Sequence, residues 1–155
     1  MQLHIMERDP GLRPFSRQHH AALVLAKRAQ RMAAEGAHLP PSSIAGVLAI
    51  FAHEIEPHFQ AEEQVLLPLL RTEETRPLAE RTWAEHQRLR GLARRLAAGD
   101  LDRLAPFGKA LEAHVRFEEC ELFPAAQSAL APDALARMGR DHRPINQRNA
   151  PKKGT

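Results

Sequence analysis

The chain has one cysteine, Cys120, one tryptophan and no tyrosine among its 155 residues. A lone cysteine rules out an internal disulfide framework and every cysteine-rich zinc motif. Aromatic residues make up only 5%, while alanine and leucine abound, a balance that favours helices over sheets. No segment approaches the roughly 20 consecutive apolar residues that span a bilayer. Residues 1–13 contain no apolar run and carry Glu7 and Asp9, so a secretory leader is not expected. The excess of one sign of charge is also small: the net charge is +3, and no basic run is interleaved with aromatics. Neither a nucleic-acid partner nor a membrane is therefore expected. The expectation is a cytoplasmic, soluble protein with one hydrophobic core, at a common single-domain size.

Against these absences stands a repeat. His58-Phe59-Gln60-Ala61-Glu62-Glu63-Gln64-Val65-Leu66-Leu67-Pro68 returns as His114-Val115-Arg116-Phe117-Glu118-Glu119-Cys120-Glu121-Leu122-Phe123-Pro124, with the histidine, both glutamates, one leucine and the final proline identical. In each copy a glutamate follows the histidine by four residues. On an α-helix that spacing puts both side chains on one face, a turn apart. Each copy can aim an imidazole nitrogen and a carboxylate at one point.

Periodicity and punctuation predict where these copies sit. Residues 1–14, with Pro10, Gly11 and Pro14, read as an irregular lead-in. A helix is expected over about 16–35, with Ser16 as its N-cap and Gly36 as its stop. The second is expected from Ser42 or Ser43 to about 71, with Pro57 kinking it beside His58. Its inner stripe is Ile44, Val47, Leu48, Phe51, Ile55, His58, Glu62, Val65, Leu66 and Leu69, and His53 faces away. The third is expected over 77–98, with Trp83, His86, Leu89, Leu92, Ala93 and Leu96 inward and Glu85 among the outer charges. The fourth is expected over 101–122, with Leu104, Phe107, Leu111, His114, Glu118 and Leu122 inward and a break at Pro124. A short helix over 132–139 and a loose basic tail over 141–155 follow. Four long helices with short connections predict an all-α, antiparallel up-down-up-down four-helix bundle occupying residues 15–140.

In the first helix the neighbours His19 and His20 point about 100° apart. The face of His19 carries Phe15, Ala22, Leu23, Ala26, Ala29 and Ala33. The face of His20 brings Lys27 and Arg31 inward. His19 is therefore the expected inward residue, with His20 as the alternative. His4, His38 and His142 fall in turns or tails, where no role is expected.

The inward polar set is thus His19, His58, Glu62, His86, His114 and Glu118. Buried carboxylates without partners are very costly, and no lysine or arginine lies on these stripes to pair with Glu62 and Glu118. Cations at the centre would resolve this, with each carboxylate bridging two ions and each ion taking two histidines. Mixed imidazole and carboxylate ligation suits iron, manganese or, less often, zinc. The open coordination positions can hold a bridging oxo or hydroxo group and a small exogenous molecule such as dioxygen. Glu63 and Glu119 point about 100° from the bridging pair, either orienting ligands from behind or solvated. Glu54 and Glu121 read as surface, Cys120 as a small buried or boundary residue.

This pattern, H…HxxxE…H…HxxxE, together with the EExxLLP and EExxLFP continuations, resembles the hemerythrin-like family, also called the HHE cation-binding domain, over about residues 15–125. The resemblance implies a non-haem di-iron centre inside a bundle of four antiparallel helices, with Glu62 and Glu118 bridging the irons. Oxygen-carrying members place a second histidine four residues along the third helix, where this sequence has Thr82 and Arg90. The resemblance therefore implies oxygen or nitric oxide sensing, iron handling or a peroxide-related activity rather than reversible transport. The alternatives are a di-iron oxidase or nitric oxide or peroxide reductase, and a metal-free interaction module whose histidines are core residues.

Overall fold

The computed structural model describes residues 7–36 and 39–142. It is all-helical, with no strand among the described residues. No helix among them is long and apolar enough to cross a membrane. Four long helices are α1 (Arg13–Glu35), α2 (residues 41–69), α3 (Arg76–Ala97) and α4 (residues 101–129); the short α5 (Pro132–Asp141) follows. α1 and α3 both pack along α4, and α2 touches α1 and α3.

α1 starts three residues earlier than the pattern suggests, and Ser16 is not its N-cap. The carbonyl of Asp9 accepts from the amides of Leu12 and Arg13 at 2.9 and 3.1 Å. The 9–12 turn thus covers the helix start, and Pro14 pre-sets φ in the first turn. At the other end Gly36 takes φ 79°, the conformation glycine adopts most readily. The residues before α1 are not loose: Leu12 is fully buried, and Arg8 pairs with Glu119 at 2.8 Å.

Proline sets the local form of α2 and α4. Proline lacks an N–H, and its ring clashes with the carbonyl four residues back. Before Pro57, Pro68 and Pro124 the ladder widens by one residue. Glu56 N–H reaches the carbonyl of Phe51 ahead of Pro57, Leu67 reaches Glu62 ahead of Pro68, and Phe123 reaches Glu118 ahead of Pro124. These are i→i−5 bonds, single π turns inside otherwise α-helical chain. The expected break at Pro124 therefore does not occur, and α4 continues through Phe123–Ala129. α5 likewise runs through Asp141, two residues past its expected end, and residues 143–155, on which the expected tail falls, lie outside the described residues, as do His4 and His38.

Two apolar clusters form the core. One gathers Phe51, Phe59, Leu89, Phe107 and Leu111 with alanines of α1; the other gathers Leu12, Phe15, Leu66, Phe117, Phe123, Leu135 and Met138. Gly108 lets α4 approach α1 closely, since a Cβ there would lie 2.8 Å from the carbonyl of Ala26.

Two expected inner residues, Trp83 and Leu69, are exposed, as is Cys120, expected buried or at a boundary, while Leu48, Val65 and Leu92 are only partly buried. Trp83 is 51% exposed, because the buried stripe of α3 runs through Thr82, His86, Leu89, Ala93 and Leu96 instead. The Thr82 hydroxyl is satisfied by donating to the Leu78 carbonyl at 2.8 Å. Leu69 is 39% exposed, because α2 tightens into a 3-10 turn over Leu67–Leu69 and Leu66 and Leu70 take the core positions. Cys120 is exposed, two residues and about 200° around the helix from Glu118. Trp83→Ala is therefore expected to cost less than about 1 kcal/mol of stability, against about 3–5 kcal/mol for a buried tryptophan. Thermal unfolding checks this, and a loss in the larger range would contradict the exposed placement.

Candidate metal centre

The apolar clusters meet around a polar group. Phe59 of one cluster stacks on His86, ring centroids 3.9 Å apart, and Phe123 of the other stacks on His19 at 5.3 Å. Between them lie His19, His58, Glu62, His86, His114 and Glu118, all at most 3% exposed. α1 and α3 contribute one histidine each; α2 and α4 each contribute a histidine and a glutamate. His20 does not join them: it lies on the exposed side of α1. The exposed His53, Glu54 and Glu121 also stay outside.

Every one of the four imidazoles has the same polarity. Its Nδ1 faces a neighbour: Glu119 for His19 at 2.7 Å, Gln18 for His58 at 2.6 Å, Glu63 for His86 at 2.6 Å and Glu85 for His114 at 2.8 Å. An ionised carboxylate or an amide oxygen only accepts, so these partners assign the proton to Nδ1 and leave the Nε2 lone pair free. All four Nε2 atoms, and all four carboxylate oxygens of Glu62 and Glu118, are buried without a hydrogen-bond partner.

These orphaned atoms lie close together. Nε2 of His58 and of His86 stand 3.0 and 3.3 Å from Glu62 Oε1; Nε2 of His114 and of His19 stand 2.6 and 3.4 Å from Glu118 Oε1. The contacts are short yet misaligned for hydrogen bonds, lone pair against lone pair. Such an arrangement is repulsive unless positive charge sits between the atoms. Ligand atoms of His19, His58, Glu62 and Glu118 all fall within 4.8 Å of one another, and so do those of Glu62, His86, His114 and Glu118. The two glutamates belong to both groups, so each carboxylate lies between one histidine of each. The donor set fits a bound metal, with four imidazole nitrogens and two carboxylates converging in a buried site.

Protonation tendencies at His58, His114 and Glu62 run in the direction ligation requires. Burial pushes the His58 and His114 imidazoles down, towards the neutral ring that ligation requires. Burial would push the Glu62 carboxyl up, but His58 and His86 outweigh it and hold it well below the usual carboxylate range. At His86 burial again pushes down, yet Glu62 and Glu63 win and raise it; a cation at the same place would replace that proton.

Behind the centre, arginines hold the outer carboxylates. Arg8 pairs with Glu119 at 2.8 Å, Arg90 with Glu63 at 2.9 Å, and Arg81 with Glu85 at 2.7 Å. Burial favours the protonated form of all three acids, but the histidine hydrogen bonds and the arginines outweigh it and hold them below the usual range. Of the two roles open to Glu63 and Glu119, the structure places both on histidine Nδ1 atoms. Gln18 and Glu85 were not legible as partners, and Glu85 reads from the pattern as an outer charge. The available signal was position: each immediately precedes an inward histidine, Gln18-His19 and Glu85-His86. Thr82 and Arg90 are committed elsewhere, Thr82 to the Leu78 carbonyl and Arg90 to Glu56 and Glu63.

No curated protein and no solved structure matches the chain. Its sequence does match the family model of the hemerythrin HHE cation binding domain over residues 11–126, and the chain belongs to that family.

Proposed function

We propose that the chain is a non-haem di-iron protein that binds a small molecule such as dioxygen, for sensing or iron handling, with its four long helices forming an antiparallel up-down-up-down bundle. The observation that carries this reading is the convergence of eight buried, unpartnered ligand atoms from six side chains. His19 and His58 would hold one ion and His86 and His114 the other, with Glu62 and Glu118 shared, as the two overlapping ligand groups suggest. Mixed nitrogen and oxygen donors suit iron or manganese, and zinc less well. Two histidines and two shared carboxylates leave coordination positions for an exogenous ligand, and bound iron would supply redox activity there. The protein itself supplies orientation, through the four Nδ1 hydrogen bonds, and dryness, through Phe59 and Phe123.

The engaged side chains at 82 and 90 offer no further histidine to α3, which favours sensing or iron handling over reversible transport. A metal-free interaction module is disfavoured because it would bury two carboxylates with no lysine or arginine paired to them among the described residues. Protein purified without chelator is expected to carry iron at two ions per chain, matching the two ligand groups. Its visible spectrum should change between anaerobic and air-exposed samples. Protein that carries no metal and takes up no Fe²⁺ would refute the reading.

A further inference from the structure

The centre has an internal symmetry that fails at one residue. Exchanging the α1–α2 pair with the α3–α4 pair maps His19 on His86, His58 on His114, Glu62 on Glu118 and Glu63 on Glu119. The outer hydrogen bonds obey the same exchange: His19 with Glu119 matches His86 with Glu63, and His58 with Gln18 matches His114 with Glu85. Only the last pair differs in chemistry. One histidine gives its Nδ1 proton to a neutral amide and the other to a carboxylate.

The difference is one of charge rather than fit. The two contacts are 2.6 and 2.8 Å, so neither histidine lacks its partner. A carboxylate acceptor makes a hydrogen bond roughly twice as strong as a neutral one. It draws the Nδ1 proton away and makes Nε2 a more basic ligand. Both histidines of the His86–His114 group are backed by carboxylates, whereas the His19–His58 group has one carboxylate and one amide. Each of the three outer carboxylates is gripped by an arginine, so arginine pairing does not cancel the contrast. The amide side also adjoins a cavity of about 260 Å³ lined by Gln18, Ala21, His53, Glu54, Pro57, Ala61 and His142.

We propose that the two ion positions are unequal: the His86–His114 position fills first and binds tightly, and the His19–His58 position fills second and exchanges. Gln18 is then a positioning residue that sets the weaker affinity without touching an ion. This inference rests on the di-metal reading above.

Anaerobic calorimetric titration of the chelator-stripped full chain with Fe²⁺ tests it. The expected isotherm has two steps whose affinities differ by about 10–100-fold, the usual effect of an outer hydrogen-bond partner. Gln18→Glu is expected to tighten the second step by about tenfold or more and merge the two. Glu85→Gln is expected to weaken the first step by a similar factor, merging them at lower affinity. Two ions bound in one step by the wild type, with Gln18→Glu leaving that step within about twofold, would overturn the inequality alone. No uptake by the wild type or either variant would overturn the di-metal reading, and this inference with it.

Discussion

Replacing Glu62 and Glu118 together by glutamine is expected to abolish metal binding and, at the same time, to leave the metal-free protein as stable as the wild type or more so. The two halves of this result have one cause. In the folded chain both carboxylates are fully buried, and their oxygens face histidine lone pairs rather than donors. Burying an anion in such a place costs several kcal/mol unless positive charge compensates it. Neutral amides remove that cost, and their N–H groups can donate to the orphaned Nε2 atoms. What they cannot do is bridge two cations as anions. The wild type should therefore gain stability on metal addition, and the double variant should not. At metal concentrations of 100 to 1,000 times the dissociation constant the gain is about 3–4 kcal/mol. For a chain of this size that corresponds to a rise in melting temperature of roughly 6–16 °C. Thermal unfolding of both proteins with chelator and with Fe²⁺, beside metal analysis, reads all four values. A double variant that keeps its metal and its metal-dependent rise would remove the carboxylates from the centre.

The side chains on which that result turns were readable in the sequence because they obey a helix rule. His58 with Glu62 and His114 with Glu118 are i and i+4 pairs, and His19 and His86 lie on stripes that are otherwise apolar. Helix periodicity is a local property, so it survives without knowledge of neighbours. The stripes failed where the helix departs from 3.6 residues per turn or where two readings differ by a single position. Leu69 fell in a tightened turn, and on α3 the buried line passed through Thr82 rather than the larger Trp83 beside it. The halt expected at Pro124 assumed that proline must end a helix; a π turn starting at Glu118 absorbs it. Cys120, read as buried or at a boundary, is exposed because its angle from Glu118 turns it outward. The outer partners were hidden for a different reason. Gln18 and Glu85 point away from their own helix's inner stripe and reach histidines on neighbouring helices, α2 and α4. Such contacts depend on how helices lie side by side, which no single stripe records.

Gly11→Ala is expected to loosen α5 from the rest of the molecule, although residue 11 belongs to no helix and touches no ligand. A Cβ at position 11 would lie 2.0 Å from the carbonyl oxygen of Leu135 and 2.7 Å from its carbon, a clash with backbone that no side-chain rotation can relieve. Either the 9–12 turn or α5 must move. The turn is tied down on several sides: Gly11 N–H donates to Asp9 Oδ1 at 2.8 Å, Asp9 N–H donates to Gln127 Oε1 at 3.0 Å, and the Asp9 carbonyl begins α1. α5 is held by two apolar side chains, Leu135 and Met138, both nearly fully buried, and by the ring of His142 at its C-terminal end, 4.1 Å from that of Phe15. Each of the two apolar side chains is worth about 1.5–3 kcal/mol of burial, and overpacking by one methyl costs about 1–3 kcal/mol. α5 is thus the element that yields. No helix-propensity gain offsets the change, since residue 11 lies in a turn, where alanine's advantage over glycine does not apply. A loss of about 2–4 kcal/mol is expected, seen as a fall in melting temperature of roughly 4–16 °C with faster amide exchange concentrated in Pro132–Asp141. If the melting temperature and the protection of α5 both match the wild type, the close passage of the two backbones at Gly11 carries no energetic weight, and the docking of α5 must rest on its side-chain contacts.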